Sequence, residues 1–226
     1  MGALSTQDSK AIIMMSDSFG WNSGRLRAIA DMFSEKTNSL VVIPMLLVPP
    51  FEGGTDGDGF PPNFNMGKRF MEASSYLKTI TWEEIVKPRL SVIHSILLKK
   101  GGDSIKISAM GFCYGGWAVT KMLSEPELFT NITCGITAHP SVSTVEANFG
   151  GDTINLLKKV SKPILFLPAS NDPPEYSGTF LEAVKENNPL SYTINFPDVV
   201  HGFYVRGDIG TAEVRAAFDK ATQNIL

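Results

Sequence analysis

The chain has 226 residues, enough for one domain with a sizeable core. It is 43% hydrophobic and 19% charged, with a formal net charge of −3. There is no basic surplus for nucleic acid, no block of like charge for a tail, and no apolar run long enough for a membrane span. The opening residues Met1–Asp8 lack the basic end and apolar centre of a signal peptide. Two cysteines without an export signal point to a reducing, cytoplasmic compartment and no disulfide framework. On that reading the Asn131-Ile132-Thr133 sequon stays unmodified, and Met1-Gly2 with Thr6 is a chance match to the myristoylation pattern.

In chain order, strand and helix alternate. Ala11–Ser16 is an apolar run that ends in the turn Asp17-Ser18-Phe19-Gly20. Gly24–Glu35 carries Leu26, Ile29, Ala30 and Phe33 at helical spacing, and Leu40–Pro44 is a second strand. Val48–Asn65 is a long loop, rich in Pro and Gly, of the kind that often forms a lid. Its Asp56-Gly57-Asp58-Gly59 lacks the remaining ligands of a calcium loop. Trp82–Lys99 is a helix with Ile85, Val86, Ile93, Ile96 and Leu97 on its apolar face. Pro88 makes its start irregular. His94 in this helix reads as structural or solvent-facing.

Ile105, Ile107 and Met110 mark a third strand. Ile132–Ala138 follows as a strand, with Cys134 as a small core residue. Next come a helix over Asp152–Val160, a strand over Ile164–Pro168 and a helix over Glu175–Asn187. A strand over Tyr192–Phe196 and a helix over Thr211–Ile225 close the chain. Such alternation means parallel strands, right-handed crossovers and helices on both faces. The expected architecture is one open, doubly wound α/β domain over residues 1–226, with function at the carboxyl ends of the strands.

Gly111-Phe112-Cys113-Tyr114-Gly115 has the G-x-S-x-G spacing of a nucleophile elbow, with Cys in place of Ser. A sharp strand-to-helix turn strains the central residue and crowds the positions two away on either side, so both are glycine. Cys113 then sits at the tip, above a helix from about Gly116 to Leu123, whose N–H groups favour a thiolate and a developing oxyanion. By this geometry the N–H of Tyr114 is one oxyanion donor.

Asp17, Cys113, His139, Asp172 and His201 each fall just past a strand. The order nucleophile, acid, histidine is the α/β-hydrolase order. Cys113 would attack a carbonyl as thiolate, His201 would take and return the proton, and Asp172 would hold the imidazole tautomer. Taken singly, Asp172 before Pro173-Pro174 also fits a plain turn, and His201-Gly202-Phe203 a helix-capping turn.

Gly-Phe-Cys-Tyr-Gly-Gly around Cys113, Asn171-Asp172, and His201-Gly202-Phe203-Tyr204-Val205-Arg206-Gly207-Asp208 together resemble the dienelactone hydrolase family. Ser16-Asp17-Ser18-Phe19-Gly20, followed by Arg27 and Ala30-Asp31, resembles that family's first strand–turn–helix segment. Ala138-His139-Pro140-Ser141 resembles a eukaryotic-type branch. The similarity runs from about Ala11 to the C-terminus. It implies an α/β-hydrolase fold and hydrolysis of small esters or lactones without metal or organic cofactor.

The resemblance also implies the N–H of Ser18 as the second oxyanion donor. Three features depart from the family. Asp17 stands where it usually has Glu paired with the nucleophile, the strands that lead many relatives are missing, and Pro44-Met45-Leu46 replaces Pro-Asp-Leu. Asp17, Arg206 and His139 are the candidate substrate-binding residues. Arg206 would take a substrate carboxylate in a bidentate fork, or else pair with Asp208 or Asp172. His139 would line the pocket or be a hydrogen-bonded structural histidine. The residues leave open a non-catalytic scaffold that binds a small molecule or a protein, and a redox-sensing thiol at Cys113.

Overall fold

In the computed structural model, which describes residues 10–22, 24–47, 72, 75–102 and 104–226, the first strand already shows the layering. In β1 (Lys10–Met15), Ala11, Ile13 and Met15 enter one core while Ile12 and Met14 enter another. A strand with both faces apolar must be covered by helices on both sides. After α1 (Leu26–Thr37), β2 (Leu40–Val42) pairs with β1. A π-helical turn over Trp82–Val86 leads into α2 (Lys87–Gly101), then come β3 (Lys106–Cys113), α3 (Tyr114–Leu123) and β4 (Ile132–Pro140). Two short helices follow, α4 (Val142–Asn148) and α5 (Thr153–Leu157), and then β5 (Ile164–Leu167), α6 (Thr179–Lys185) and β6 (Tyr192–Thr193). The chain closes through α7 (Phe203–Arg206) and α8 (Ala212–Ile225).

The strands are parallel in the order β2-β1-β3-β4-β5-β6. Residues of α1, α7 and α8 pack on the Ile12–Met14 face, and residues of α2 to α6 on the Ile13–Met15 face. The strand order reverses between β1 and β3, which makes the crevice past their carboxyl ends the place for a ligand. Asp17 and Cys113 both stand there.

The differences from the sequence reading have local causes. Pro88 has no N–H to return to the preceding turn, and the helix enters instead through an i→i+5 bond from Val86 N–H to Thr81 O of 3.1 Å. The helix expected over Glu175–Asn187 splits at Gly178 into a 3₁₀ turn (Pro174–Ser177) and α6. Of the strand expected to Phe196, only Tyr192 and Thr193 join the ladder, with Phe196 bridging back to Ala169. Neither α4 nor α7 was anticipated, because four to seven residues give too little periodicity to detect. Cys134 is half-buried and His94 is 3% exposed, its Nε2 lying 2.5 Å from the Thr130 carbonyl oxygen. The Val48–Asn65 loop and the Met1–Asp8 start lie outside the described residues.

Candidate active site

The elbow forms for the reason its spacing implies. Cys113 has φ 52° and ψ −113°, a backbone conformation that strains any side chain. A Cβ on Gly111 would lie 2.2 Å from the Gly115 carbonyl oxygen, and one on Gly115 would lie 2.3 Å from that of Met15. These are backbone atoms, so the two glycines let α3 start against the ends of β3 and β1. α3 begins at Tyr114, two residues earlier than expected, which puts the Tyr114 N–H in its first turn.

His201 and Asp172 meet across two loops. His201 Nδ1 lies 2.5 Å from Asp172 Oδ1. The other carboxylate oxygen, Oδ2, accepts from Ala169 N–H at 2.7 Å, and Asn171 Oδ1 accepts from His201 N–H at 2.6 Å. The Asp172 side chain is buried and that of His201 is 30% exposed, so the imidazole alone of the two reaches solvent. Burial pushes His201 down, but the Cys113 charge and the Asp172 and Cys113 hydrogen bonds prevail and raise it to about 10. Burial pushes the Cys113 thiol up, and Asp17 adds to this. The charge and hydrogen bond of His201, with the Ser141 hydroxyl, outweigh both and leave it lowered. The two shifts run in the directions that favour a thiolate and an imidazolium over a thiol and a neutral imidazole.

Asp17 and Arg206 form a buried ion pair. Arg206 Nε donates to Asp17 Oδ2 at 2.7 Å and Nη2 reaches Oδ1 at 3.5 Å, with both side chains 5% exposed or less. The partner is neither Asp208 nor Asp172. Asp17 Oδ1 also accepts from Phe19 N–H at 2.9 Å, and the Phe19 ring lies 4.1 Å from the Arg206 guanidinium carbon. Ser18, between Asp17 and Phe19, thus sits in a turn fastened to α7, five residues past His201. Arg25, which sequence reasoning passed over, holds α7 from the other side through the carbonyl oxygens of Phe203, Tyr204 and Gly207.

His139 is fully buried, with φ 38°. Among the described residues neither ring nitrogen has a hydrogen-bond partner in another residue, which speaks against the hydrogen-bonded structural reading. Its ring stands edge-on to His201 at 4.9 Å and to Phe203 at 5.7 Å, and tilts against Phe112 at 6.1 Å. It lies behind the His201 imidazole. Burial first, then the charges of His201 and Arg206, push it well below the usual histidine range, so it is neutral.

That neutrality has a measurable consequence. Below pH 6.5 the unfolded chain binds a proton at residue 139 that the folded chain does not, so stability falls as pH falls. The slope is up to about 1.4 kcal/mol per pH unit. His201, raised in the fold, works the other way near pH 6.5, and its contribution levels off only below that, once the unfolded imidazole is protonated as well. Urea midpoints between pH 6 and 5 should drop in the wild type, and the drop should shrink in His139→Phe. Equal slopes would show that another group carries it.

Among the described residues, no three His, Cys, Asp or Glu side chains are grouped to hold a metal ion. No helix among them is long and apolar enough to cross a membrane.

A parallel sheet with a strained Cys at a strand–helix elbow, and a His–Asp pair on later strand ends, defines an α/β-hydrolase. Solved structures share this fold. A dienelactone hydrolase from Anabaena variabilis superposes with a TM-score of 0.54 at 13% identity, covering 96% of this chain and 86% of that one. Esterase 2 of Thermogutta terrifontis gives 0.58 at 17% identity over 98% and 84%.

The dienelactone hydrolase family model matches residues 2–226, and the chain belongs to that family. Among curated relatives, the human carboxymethylenebutenolidase homolog is 28% identical over 225 residues, covering 96% of this chain and 80% of the relative. Hydrolase tropI of Talaromyces stipitatus is 29% identical over 218 residues, with 93% and 76% covered. The chain is a carboxylic ester hydrolase of this family.

Proposed function

We propose that the chain cleaves a small ester, lactone or thioester through a Cys113-His201-Asp172 triad and a covalent acyl-enzyme. The observation that carries the reading is Cys113 on the strained elbow beside an imidazole that Asp172 holds at 2.5 Å, a neighbour whose charge and hydrogen bond lower the thiol. The thiolate attacks the carbonyl carbon, and the oxyanion forms beside the N–H groups of Tyr114 and Ser18. Collapse breaks the carbon–oxygen bond, and the leaving alkoxide takes its proton from His201. Water, deprotonated by His201, then attacks the thioester and releases the acid and the Cys113 thiolate. Both cysteines are free, which supports a reducing, cytoplasmic setting.

Within this reading Asp17 and Arg206 have a shared task. Their pair fastens the Ser18 turn, so the oxyanion donor is positioned relative to His201. A substrate carboxylate bound by Arg206 would share the guanidinium with Asp17. His139 shapes the pocket through the His201 ring it backs.

The test is direct. Incubation with an aryl acetate followed by acid quench should leave one acetyl group on the peptide containing Cys113, after a burst of aryl alcohol. Turnover with the acyl group on another residue, or with no burst and no adduct, would remove the triad reading.

A further inference from the structure

Ser141 opens α4, and a serine there ordinarily turns its oxygen onto an N–H of the helix's first turn. This one makes no such cap. The fully buried Tyr176 takes over at this helix start. Its hydroxyl accepts from Val142 N–H at 2.9 Å and donates to the Pro140 carbonyl at 3.1 Å. The Ser141 hydroxyl points to the elbow instead, with Oγ 3.4 Å from Cys113 Sγ. Its N–H donates to the Cys113 carbonyl at 3.1 Å. The ladder shifts register so that Cys113 pairs with Pro140, which brings Ser141 level with the sulfur. Two backbone anchors and a substitute cap therefore hold a hydroxyl against the nucleophile.

We propose that Ser141 is a further catalytic residue, whose hydroxyl donates a hydrogen bond to the Cys113 thiolate in the resting enzyme. This rests on the reading of Cys113 as nucleophile. The other charged groups facing the sulfur are His201 and Asp17, the latter already engaged by Arg206. A thiol or a thioester sulfur is a poor acceptor, so the bond is worth most while the sulfur is an anion. Ser141 thereby extends the thiolate to lower pH and moderates its nucleophilicity, since basicity and attack rate fall together.

The experiment follows alkylation of the Cys113 peptide by iodoacetamide, resolved by mass spectrometry, from pH 4 to 9. It compares wild type, Ser141→Ala and Ser141→Thr, alongside the pH profile of kcat/KM for an aryl ester. Ser141→Ala should move the alkylation midpoint up by about one pH unit, the effect of losing one hydrogen bond to a charged group. Above the midpoint its rate should rise about threefold, as the freed thiolate is more basic. The acid limb of kcat/KM should shift by the same amount, and Ser141→Thr should keep the wild-type midpoint. An unmoved midpoint in Ser141→Ala, or one equally moved in both variants, overturns the proposal. Full ester turnover in Cys113→Ala would instead overturn the nucleophile reading, and the catalytic role of Ser141 with it.

Discussion

Cys113→Ala is expected to abolish turnover of an aryl ester and with it the acyl adduct, because no other group is placed on the elbow. Asp172→Asn should lower kcat/KM by about 10²–10³, less than the roughly 10⁴ seen in a serine triad, because a thiolate needs less help than an alkoxide. The geometry gives the reason. Asp172 Oδ2 accepts from Ala169 N–H, so an asparagine keeps its carbonyl oxygen there and turns its NH₂ to His201 Nδ1. The imidazole must then accept at Nδ1 and carry its proton at Nε2, facing the sulfur with no site to receive one. Groups that act as a unit do not add. The double variant Cys113→Ala/Asp172→Asn should thus be no worse than Cys113→Ala. Penalties that multiply would mean that Asp172 works apart from Cys113.

Arg206→Ala is expected to destabilise the fold by about 3–5 kcal/mol, since it leaves the Asp17 carboxylate buried without its counter-charge. Removing both partners in Asp17→Asn/Arg206→Met should cost much less than the single change. Urea midpoints of Asp17→Asn, Arg206→Met and the double decide this, and additive losses would show that the pair is not coupled. Activity should fall in both Arg206 variants, because Ser18 loses its fastening. Arg206→Lys, which keeps the charge but not the fork, separates substrate binding from support. If Arg206 also takes a substrate carboxylate, KM for anionic esters should rise by up to roughly 1.5–3 kcal/mol equivalent while neutral esters hardly change. An equal loss for both kinds of ester would confine Arg206 to holding the turn.

The elbow was legible in the sequence because its cause is local. Gly111 and Gly115 lie two residues either side of Cys113, and the clashes that they avoid arise within one turn and the strand beside it. The parallel order was legible too, since apolar strands separated by amphipathic helices leave few other ways to cover both faces. Asp172 and His201 could be named from their places after strands and from the family resemblance. Their approach to 2.5 Å nevertheless depends on how two loops fold together.

Other features came only with the tertiary structure. Arg206 meets Asp17 across 189 residues, and nothing near Arg206 in sequence distinguishes that partner from Asp208 or Asp172. His139 looked able to find a hydrogen bond, until β4 ran two residues further than expected and carried it into an aromatic enclosure. Nothing in the chain singles out Ser141, because α4, the helix it opens, is too short to be read from periodicity. The serine faces sulfur because Tyr176, 34 residues on, supplies the bond to the helix's first N–H in its place, and because a register shift sets β4 one step along β3. Spacing and residue type are enough where the interacting atoms are covalent neighbours. Where they are brought together by strand register and crossover, the sequence determined the candidates and the packed sheet decided which of them touch.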